Sequence, residues 1–451
     1  MPGKLRSRFR DLPQELTDAI VDYLHDDRAS LQACALVCGA WLDPSRFHLF
    51  RSLTVSQYGR LKTTVDFLIS CPDVAWYVER FIILGEEITN LSLKWDHFSL
   101  LLSRLPRLRV LHLTQFVLGV NRGGRSGGDA SSVFPVPKCP PAGPIEEIHI
   151  DTSNLVTYDF GILLHFLALF TSTRRLSLTV GRIRLLHEGG VPGLGAPAPA
   201  HIALRELRTS DIPLPVVAKL VTETRTAQTL RVLWFNDVLV WWTPEDVALL
   251  GRIFSALGRH GSLRKLIFGP IPILVPPPYG YPPLHMPDAA PSTCASSWFE
   301  DSLTDRRWPT SMAVAFALTV PNPPWNRLNL GRLDGLAELV LRTHVLLPLH
   351  AALIAHLPRS VSRVRVVLTR LMHRADSGLW AAFDAVFAAP RFADITLVVD
   401  LSTCCNNPIA SKSKVVAHAK ARVEAALPGV RAQGRLVVET EMETKRSWWG
   451  E

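Results

Sequence analysis

The sequence has few of the features that mark secreted or membrane-spanning proteins. Its 451 residues include seven cysteines, at positions 34, 38, 71, 139, 294, 404 and 405, an odd number whose spacing suggests no disulfide framework. The longest apolar stretches, residues 160–170 and 345–357, fall short of the ~20 residues that cross a bilayer. No apolar run near the N-terminus is typical of a signal peptide. We therefore expect reduced thiols and a location in the cytoplasm, the nucleus or both.

Lysine is also scarce, with only 10 lysines among 49 basic residues and a net charge of +9. Residues 1–9 form a basic N-terminal tail, whereas residues 11–51 carry seven acids against three arginines. A GC-rich genome explains the arginine bias with no function attached, and a basic surface that attracts acidic or phosphorylated partners is the alternative. With 47% hydrophobic and 20% charged residues, the composition indicates a globular protein of several domains or one long repeat domain.

Two glycine strings imitate enzyme motifs. Gly124–Gly128 matches G-x-S-x-G, but no helix follows the serine, and that motif needs a strand-to-helix turn. Gly193–Ala198 resembles a dinucleotide fingerprint, but prolines at 197 and 199 prevent the helix that would hold a pyrophosphate. Neither string predicts catalysis.

The cysteines do not predict a metal site. Cys34 and Cys38 lie one helical turn apart but occupy apolar positions, where cysteine packs as a small hydrophobe. Cys404 and Cys405 are adjacent, which suits a shared tetrahedral site poorly. We expect a protein that is not an enzyme, with no catalytic residue, metal or cofactor.

The first fifty residues predict three short helices. Proline at 13 suits the first helical turn, and Leu16, Ile20 and Leu24 then form one apolar stripe. A second helix is predicted from about Leu31 to Trp41, ending before Asp43-Pro44, and a short third segment follows. So small a bundle cannot bury all of its apolar surface. Part of that surface is expected to face a partner or to pack onto the rest of the chain.

These positions together resemble an F-box, in the form found in fungal F-box proteins. The matching run is Leu12-Pro13-x-Glu15-Leu16-x3-Ile20-x3-Leu24, then Leu31-x2-Cys34-x-Leu36-Val37-Cys38-x2-Trp41, then Leu49-Phe50. The resemblance implies that the segment docks on the Skp-type adaptor, and through it a cullin, of an SCF-type cullin–RING ubiquitin ligase. It implies an apolar adaptor contact made by Leu12, Pro13, Leu16, Ile20, Leu24, Leu36, Val37 and Trp41. Part of that set would instead hold the three helices together.

Beyond the F-box, the pattern apolar-x-x-apolar-x-apolar recurs and predicts a strand at each copy. Successive copies are 25–37 residues apart, except for one step of 73, and most intervals contain a helical stretch. Helix–strand units at this period indicate an α/β solenoid of leucine-rich-repeat (LRR) type. Regular repeats of this type have an asparagine a few residues after each strand, but here no consistent asparagine is present, and Phe116 and Val238 occupy two of the equivalent positions. The predicted solenoid is therefore irregular. An ordinary α/β domain with alternating strands and helices is the alternative.

The predicted organisation is therefore α/β: a tail at 1–9, an F-box at 10–56, an LRR-like solenoid at 57–440 and a tail at 441–451. Gly/Pro-rich loops are expected to interrupt the solenoid at 119–144, 187–200 and 269–327. The last of these contains Pro276–Tyr279, which matches the PPxY string that WW domains bind. The alternative is that this segment is only a tolerated surface insertion.

The residue between the last two apolar positions of each strand should face away from the core. That row is Thr54, Ile82, His112, His149, Ser177, Arg208, Trp234, Ile267, Val340, Arg365 and Thr396. Within it and beside it, the candidate target-binding residues are His112, His149, Arg208, Trp234, Arg363 and Arg365, because tryptophan and arginine are common in binding hot spots and arginine donates in a fork. The alternative is that these side chains are only solvated or covered by the long loops.

The sequence thus predicts a non-catalytic substrate-recognition subunit that joins an unknown target protein to a ubiquitin ligase. A scaffold that binds the adaptor without ubiquitylation is the first alternative. A basic nucleic-acid-binding repeat protein is the second, although the positive charge is scattered and no platform of aromatic and basic residues is evident.

Overall fold

A computed structural model describes residues 12–56, 58–85, 91–114, 116–119, 143–152, 160–180, 195–210, 212–236, 244–269, 328–343, 348–368, 377–402 and 412–440. The chain divides into two compact units, residues 1–226 and 227–451. The predicted loops at 119–144, 187–200 and 269–327 lie largely outside the described residues. Pro276–Tyr279 and the predicted tails at 1–9 and 441–451 lie outside them entirely.

The first unit begins with three helices and continues as alternating helices and parallel strands. Its elements are α1 (Gln14–Tyr23), α2 (Arg28–Val37), α3 (Gly39–Phe50), β1 (Ser52–Val55), α4 (Tyr58–Ser70), α5 (Pro72–Ala75), β2 (Arg80–Leu84), β3 (Leu91–Lys94), α6 (Trp95–Ser103), β4 (Val110–Thr114), β5 (Phe116–Gly119), β6 (Ile145–Thr152), α7 (Phe160–Leu167), β7 (Thr173–Val180), β8 (Glu206–Ser210) and α8 (Leu214–Thr222). Strands β1, β2, β4, β6, β7 and β8 pair in parallel in that order, and β3 pairs with β5 separately.

The short helix α9 (Thr226–Thr229) lies where the two units meet in the sequence. The second unit contains β9 (Val232–Asn236), α10 (Pro244–His260), β10 (Lys265–Phe268), β11 (Glu338–Thr343), α11 (Pro348–Ala355), β12 (Arg363–Leu368), α12 (Ser377–Ala388), β13 (Thr396–Asp400), α13 (Lys412–Ala426), α14 (Pro428–Ala432) and β14 (Leu436–Glu439). Strands β9 to β14 pair in parallel in chain order. The expectation of a mixed α/β fold is confirmed.

The middle apolar residue of the sequence pattern marks the register of the strands. In the first unit Leu53, Phe81, Leu111, Ile148, Leu176 and Leu207 are successive register partners. In the second unit Leu233, Leu266, Leu339 and Val364 are partners in the same way. Leu53, on the first strand, is half-buried, and the other residues of these two rows are at most 1% exposed. The pattern therefore identified the side of each strand that packs into the core.

The register of β13 differs from the prediction. Leu397, not Ile395, pairs with Val364, so Thr396 lies beside Arg363 and does not continue the predicted row. Ile395, Leu397 and Val399 are all buried. Because side chains alternate with a period of two, a shift of two residues leaves the apolar pattern unchanged, and the sequence cannot detect it.

The predicted end of the second helix is also wrong. Helix α2 stops at Val37 because Cys38 is fully extended, with φ −163° and ψ 169°, and α3 starts at Gly39 and runs through Pro44. Glycine has a weak preference for the helical state, so the helix breaks here at little cost. Proline at 44 removes only one hydrogen-bond donor from α3, and the helix continues.

Two glycines allow neighbouring turns in the second unit to approach closely. Gly261, with φ +57°, precedes β10, and Gly335 precedes β11; a Cβ at 335 would overlap the backbone carbonyl of Gly261. The turns that lead into adjacent strands therefore depend on the absence of a side chain at 335.

We expect Gly335→Ala to lower the free energy of unfolding by about 1–3 kcal/mol, because the backbone must shift to relieve the overlap. Urea denaturation measures this. The matched control is Gly331→Ala, whose added Cβ would meet nothing closer than the His356 carbonyl at 3.9 Å. Equal stability of the two variants would contradict the close approach.

Candidate interaction surfaces

The three N-terminal helices divide their apolar residues between an internal core and an exposed surface. Val21, Leu31 and Cys34 are at most 7% exposed and pack among the helices. Burial raises the pKa of the Cys34 thiol, as expected for a cysteine that packs as an apolar residue. The sequence alone could not make this division.

Most of the predicted adaptor-binding residues lie on the exposed side. The exposed fractions are 38% for Leu12, 53% for Leu16, 41% for Ile20, 88% for Leu36 and 52% for Val37. We call these five residues the apolar patch. Pro13 is exposed as well, whereas Leu24 and Trp41 are half-buried. Leu16 and Ile20 on α1 lie together with Leu12, which precedes the helix, and Leu36 and Val37 are neighbours on α2. Apolar side chains this exposed are common singly, but several side by side are typical of an interaction site.

Helix α1 also carries a shallow apolar groove of about 360 Å³. It is lined by Leu12, Leu16, Ala19, Ile20, Tyr23 and Leu24. Sequence analysis missed Tyr23, which is 87% exposed. Its position three residues after Ile20 could have placed it on the same helix face, since residues three and four apart are neighbours.

Polar contacts at the edges fix the three helices. The Asp27 carboxylate accepts hydrogen bonds from the backbone N–H groups of Ala29 and Ser30, each at 3.1 Å, and so caps the start of α2. His48 on α3 lies 2.7 Å from the Asp22 carboxylate on α1. The Tyr77 hydroxyl donates to Asp43 at 3.1 Å, which ties α3 to the chain after α5. The apolar patch is therefore held on a fixed framework.

The outward side of the sheet in the first unit is polar. His112, His149, Ser177 and Arg208, three of which were predicted to bind a target, are register partners on β4, β6, β7 and β8. The rings of His112 and His149 meet edge to face with centroids 5.3 Å apart. We call this side of β4, β6, β7 and β8 the polar face.

Charged groups on the polar face neutralise one another. The Glu147 carboxylate lies 3.4 Å from Nε2 of His112 and 3.3 Å from Nη1 of Arg175. Glu206 lies 2.6 Å from Arg208. The His112 hydrogen bond, with Arg175 assisting, lowers the pKa of Glu147. Burial, followed by the nearby charge of His112, lowers the pKa of His149.

The corresponding side of the sheet in the second unit is largely apolar and buried. Ile267, Val340 and Val367 are at most 4% exposed, and Val232 and Trp234 pack against them. The guanidinium carbon of Arg342 lies 5.5 Å from the centre of the Trp234 ring. Trp234 thus contributes to a hydrophobic cluster.

The two predicted arginines of β12 have different environments. Arg365 is surrounded by Glu338, Asp400 and Glu439 at 3.8, 3.4 and 3.0 Å. Arg363, two residues earlier on the strand, is exposed. The forked donor of Arg365 is therefore already engaged by carboxylates of this chain.

The described residues contain no group of three or more metal-ligating side chains. Cys34 and Cys38 are both free thiols. Gly124–Gly128 and Cys404–Cys405 lie outside the described residues, and so do the first two residues of Gly193–Ala198. Among the helices that the structure describes, none is both long and apolar enough to span a membrane.

Comparison with known proteins leaves these surfaces without an assigned role. No protein-family model matches the chain, and no curated protein matches it. What these surfaces do is therefore argued from their geometry.

Because Leu31 is buried and Leu36 is exposed on the same helix, the same substitution at the two positions should have different effects on the free energy of unfolding. Leu31→Ala should lower the free energy of unfolding by about 2–5 kcal/mol, because it leaves a cavity in the helical core. Leu36→Ala, on the same helix but 88% exposed, should change it by no more than about 0.5 kcal/mol. Thermal or urea denaturation measures both; a large loss for Leu36→Ala would mean that the residue packs internally.

The half-buried His149 predicts that acid weakens the first unit. The pKa of His149 in the folded state lies below the value of 6.5 of an unperturbed histidine. As the pH falls below 6.5, the unfolded chain therefore binds more protons than the folded chain, and the free energy of unfolding decreases. Urea denaturation at pH 7.5 and 5.5 should show a smaller decrease for His149→Gln than for the wild type. Glu147, with a pKa below 4.5, contributes little in this window.

The wild type and His149→Gln are compared at the same two pH values, so every other titratable group is common to both proteins and cancels from the difference. If His149→Gln lost as much stability as the wild type between the two pH values, the burial of His149 would not be the cause.

Proposed function

We propose that the chain is a substrate-recognition subunit of an SCF-type cullin–RING ubiquitin ligase. Residues 10–56 act as an F-box that binds the Skp-type adaptor, and the remaining chain binds a target protein. The protein itself carries out no chemistry. Transfer of ubiquitin becomes efficient because the target is held close to the ligase, which raises its effective concentration there.

The observation that supports the adaptor contact is the exposure of the apolar patch. A three-helix segment with its own core, formed by Val21, Leu31 and Cys34, still leaves Leu16, Ile20 and Leu36 in solvent. Leaving so much apolar surface exposed is unfavourable in a free protein, and burial in a partner would recover about 25 cal/mol per Å². A second protein with an apolar docking surface satisfies this need.

We propose that both units are built of irregular LRR-like repeats. Each contributes six of its described strands to a parallel run, with β3 and β5 of the first unit paired separately, and described helices occur between most of the six. Parallel strands need crossover connections of this kind, and stacking such units leaves one side of the sheet available for binding. The polar face of the first unit is the side that we assign to the target, with His112, His149 and Arg208 as its central row.

Co-expression with the adaptor tests the F-box. The full-length wild type should co-purify with the adaptor, and Leu16→Glu/Ile20→Glu should not, because two carboxylates cannot enter an apolar interface without loss of hydration. Phe67→Glu on α4 and Val437→Glu on β14 are matched controls, since these side chains are apolar and 40% and 43% exposed. Both controls should still bind.

Binding of the double variant as strong as that of the wild type, or failure of the wild type to bind, would overturn the F-box assignment. Comparison of wild type and Leu16→Glu/Ile20→Glu in cells with the proteasome inhibited would then test ligase output. A target that both proteins capture, but that accumulates as a ubiquitylated species only with the wild type, supports the receptor. Capture without ubiquitylation by either protein would favour the scaffold alternative.

A further inference from the structure

A second charged feature lies at the edge of the sheet where the strands of the first unit begin. The residue two positions before the middle apolar residue of each strand forms a ladder along this edge, in the order Arg51, Glu79, Arg109, Glu146, Arg174 and Arg205. Four of these residues immediately precede their strands, whereas Glu146 and Arg174 are the second residues of β6 and β7. Backbone hydrogen bonds connect its members, such as Arg109 N–H to the Glu79 carbonyl at 2.8 Å and Arg205 N–H to the Arg174 carbonyl at 2.8 Å.

The first four positions of the ladder alternate in charge and pair with one another. The guanidinium of Arg51 lies 2.8 Å from the Glu79 carboxylate, and that of Arg109 lies 3.9 Å from Glu146. The alternation ends at β7 and β8, where two arginines are neighbours. We call Arg174 and Arg205 the arginine pair.

The acid beside Arg174 in the ladder is Glu146, which lies 3.9 Å from Arg109 and makes no described ion pair with Arg174. Glu147 and Glu206 occupy the adjacent strand positions and face the opposite side of the sheet, where they lie 3.3 Å from Arg175 and 2.6 Å from Arg208. Arg174 and Arg205 are both exposed and make no ion pair with any of the described residues. Strands β7 and β8 therefore carry two positive charges that this part of the chain leaves uncompensated.

Placing two like charges directly opposite each other on paired strands is unfavourable. Neighbouring strands are about 4.8 Å apart, so two guanidinium groups at this spacing can both reach one carboxylate or phosphate group. Such an anion removes the repulsion and gains charge-assisted hydrogen bonds from both arginines. The arrangement suits a bound anion better than it suits the unbound protein.

We propose that the arginine pair is an anion-binding site for an acidic segment of a partner protein, with either a carboxylate or a phosphorylated side chain between Arg174 and Arg205. A nucleic acid fits less well, because Glu79 and Glu146 interrupt the ladder and would repel a continuous phosphate backbone. The inference does not rest on the F-box, since the site lies on β7 and β8 and binding can be measured without the adaptor.

The second unit carries a related pair. Arg231 and Arg264, both exposed, precede the register partners Val232 and Lys265. The guanidinium of Arg264 donates to the Gly335 carbonyl at 3.0 Å. One of its donor nitrogens is therefore already engaged within the chain and less available to a ligand. We therefore assign the anion to the pair of the first unit.

Fluorescence anisotropy with the full-length protein tests the site. The probes are a labelled Gly-Glu-Glu-Gly-Glu peptide, the same peptide with phosphoserine at its centre, and a twelve-nucleotide oligo-dT, each at low and physiological salt. The variants are Arg174→Gln, Arg205→Gln and both together. Arg104→Gln is the matched control, because Arg104 is also exposed in the first unit but has no arginine beside it in a ladder.

We expect the double variant to bind an acidic peptide at least about fivefold more weakly than the wild type, because each arginine contributes a charge-assisted bond. Arg104→Gln should remain within about twofold of the wild type. Tighter binding of the phosphoserine peptide would identify a phosphate as the natural ligand, and tighter binding of the glutamate peptide a carboxylate.

Three results would overturn the proposal. The first is that the wild type shows no saturable binding of either peptide, and the second is that Arg104→Gln loses as much peptide affinity as the double variant. The third is that the wild type binds oligo-dT more tightly than the peptides and the double variant abolishes this binding, which would assign the pair to nucleic acid. Thermal melting with inorganic phosphate adds a readout that needs no peptide. Phosphate should raise the melting temperature of the wild type more than that of the double variant.

Discussion

The parallel pairing of neighbouring strands determines where the side chains of both sheets lie. Each strand is joined to the next by backbone hydrogen bonds in a fixed register, so residues at equivalent positions form straight rows across the sheet. Alternate residues must then point to opposite sides. Because leucine, isoleucine and phenylalanine occupy one set of rows, the other set is left to contact solvent, a loop or a partner. All of the surfaces described above except the apolar patch follow from this constraint.

The same constraint gives different results in the two units. In the first unit the outward rows contain histidine, serine, arginine and glutamate, which form local ion pairs and remain partly accessible. In the second unit the equivalent rows contain Ile267, Val340 and Val367, which are buried. Among the charged residues on that side, Arg365 is held by three carboxylates, Lys265 pairs with Glu338, and Arg342 lies over the Trp234 ring. This difference concentrates the accessible polar chemistry of the sheets in the first unit.

The first unit therefore combines three surfaces of different chemistry. The apolar patch on α1 and α2 suits a hydrophobic partner, and the polar face suits a partner rich in hydrogen-bonding groups. The arginine pair suits a single anionic group. A receptor that joins two proteins needs separate surfaces for each, and surfaces of unlike chemistry reduce competition between the partners. The proposed adaptor and target contacts meet that requirement.

Within the described residues, the sequence by itself determined the positions of most strands and the inward side of nearly all of these, because a six-residue apolar pattern is sufficient to place a half-buried strand. It also located the apolar stripe of α1. It did not predict β3 and β5. It could not find the break at Cys38 or the shift of two residues in β13, since neither changes the apolar periodicity.

Only the tertiary structure decided which apolar residues of the N-terminal helices are internal and that Trp234 packs against a buried cluster. It also decided that Arg365 is paired, whereas Arg174 and Arg205 make no ion pair with any residue that the structure describes. The physical reason is that burial and charge compensation depend on neighbours from distant strands, such as Glu439 for Arg365, which lie 74 residues apart in the chain.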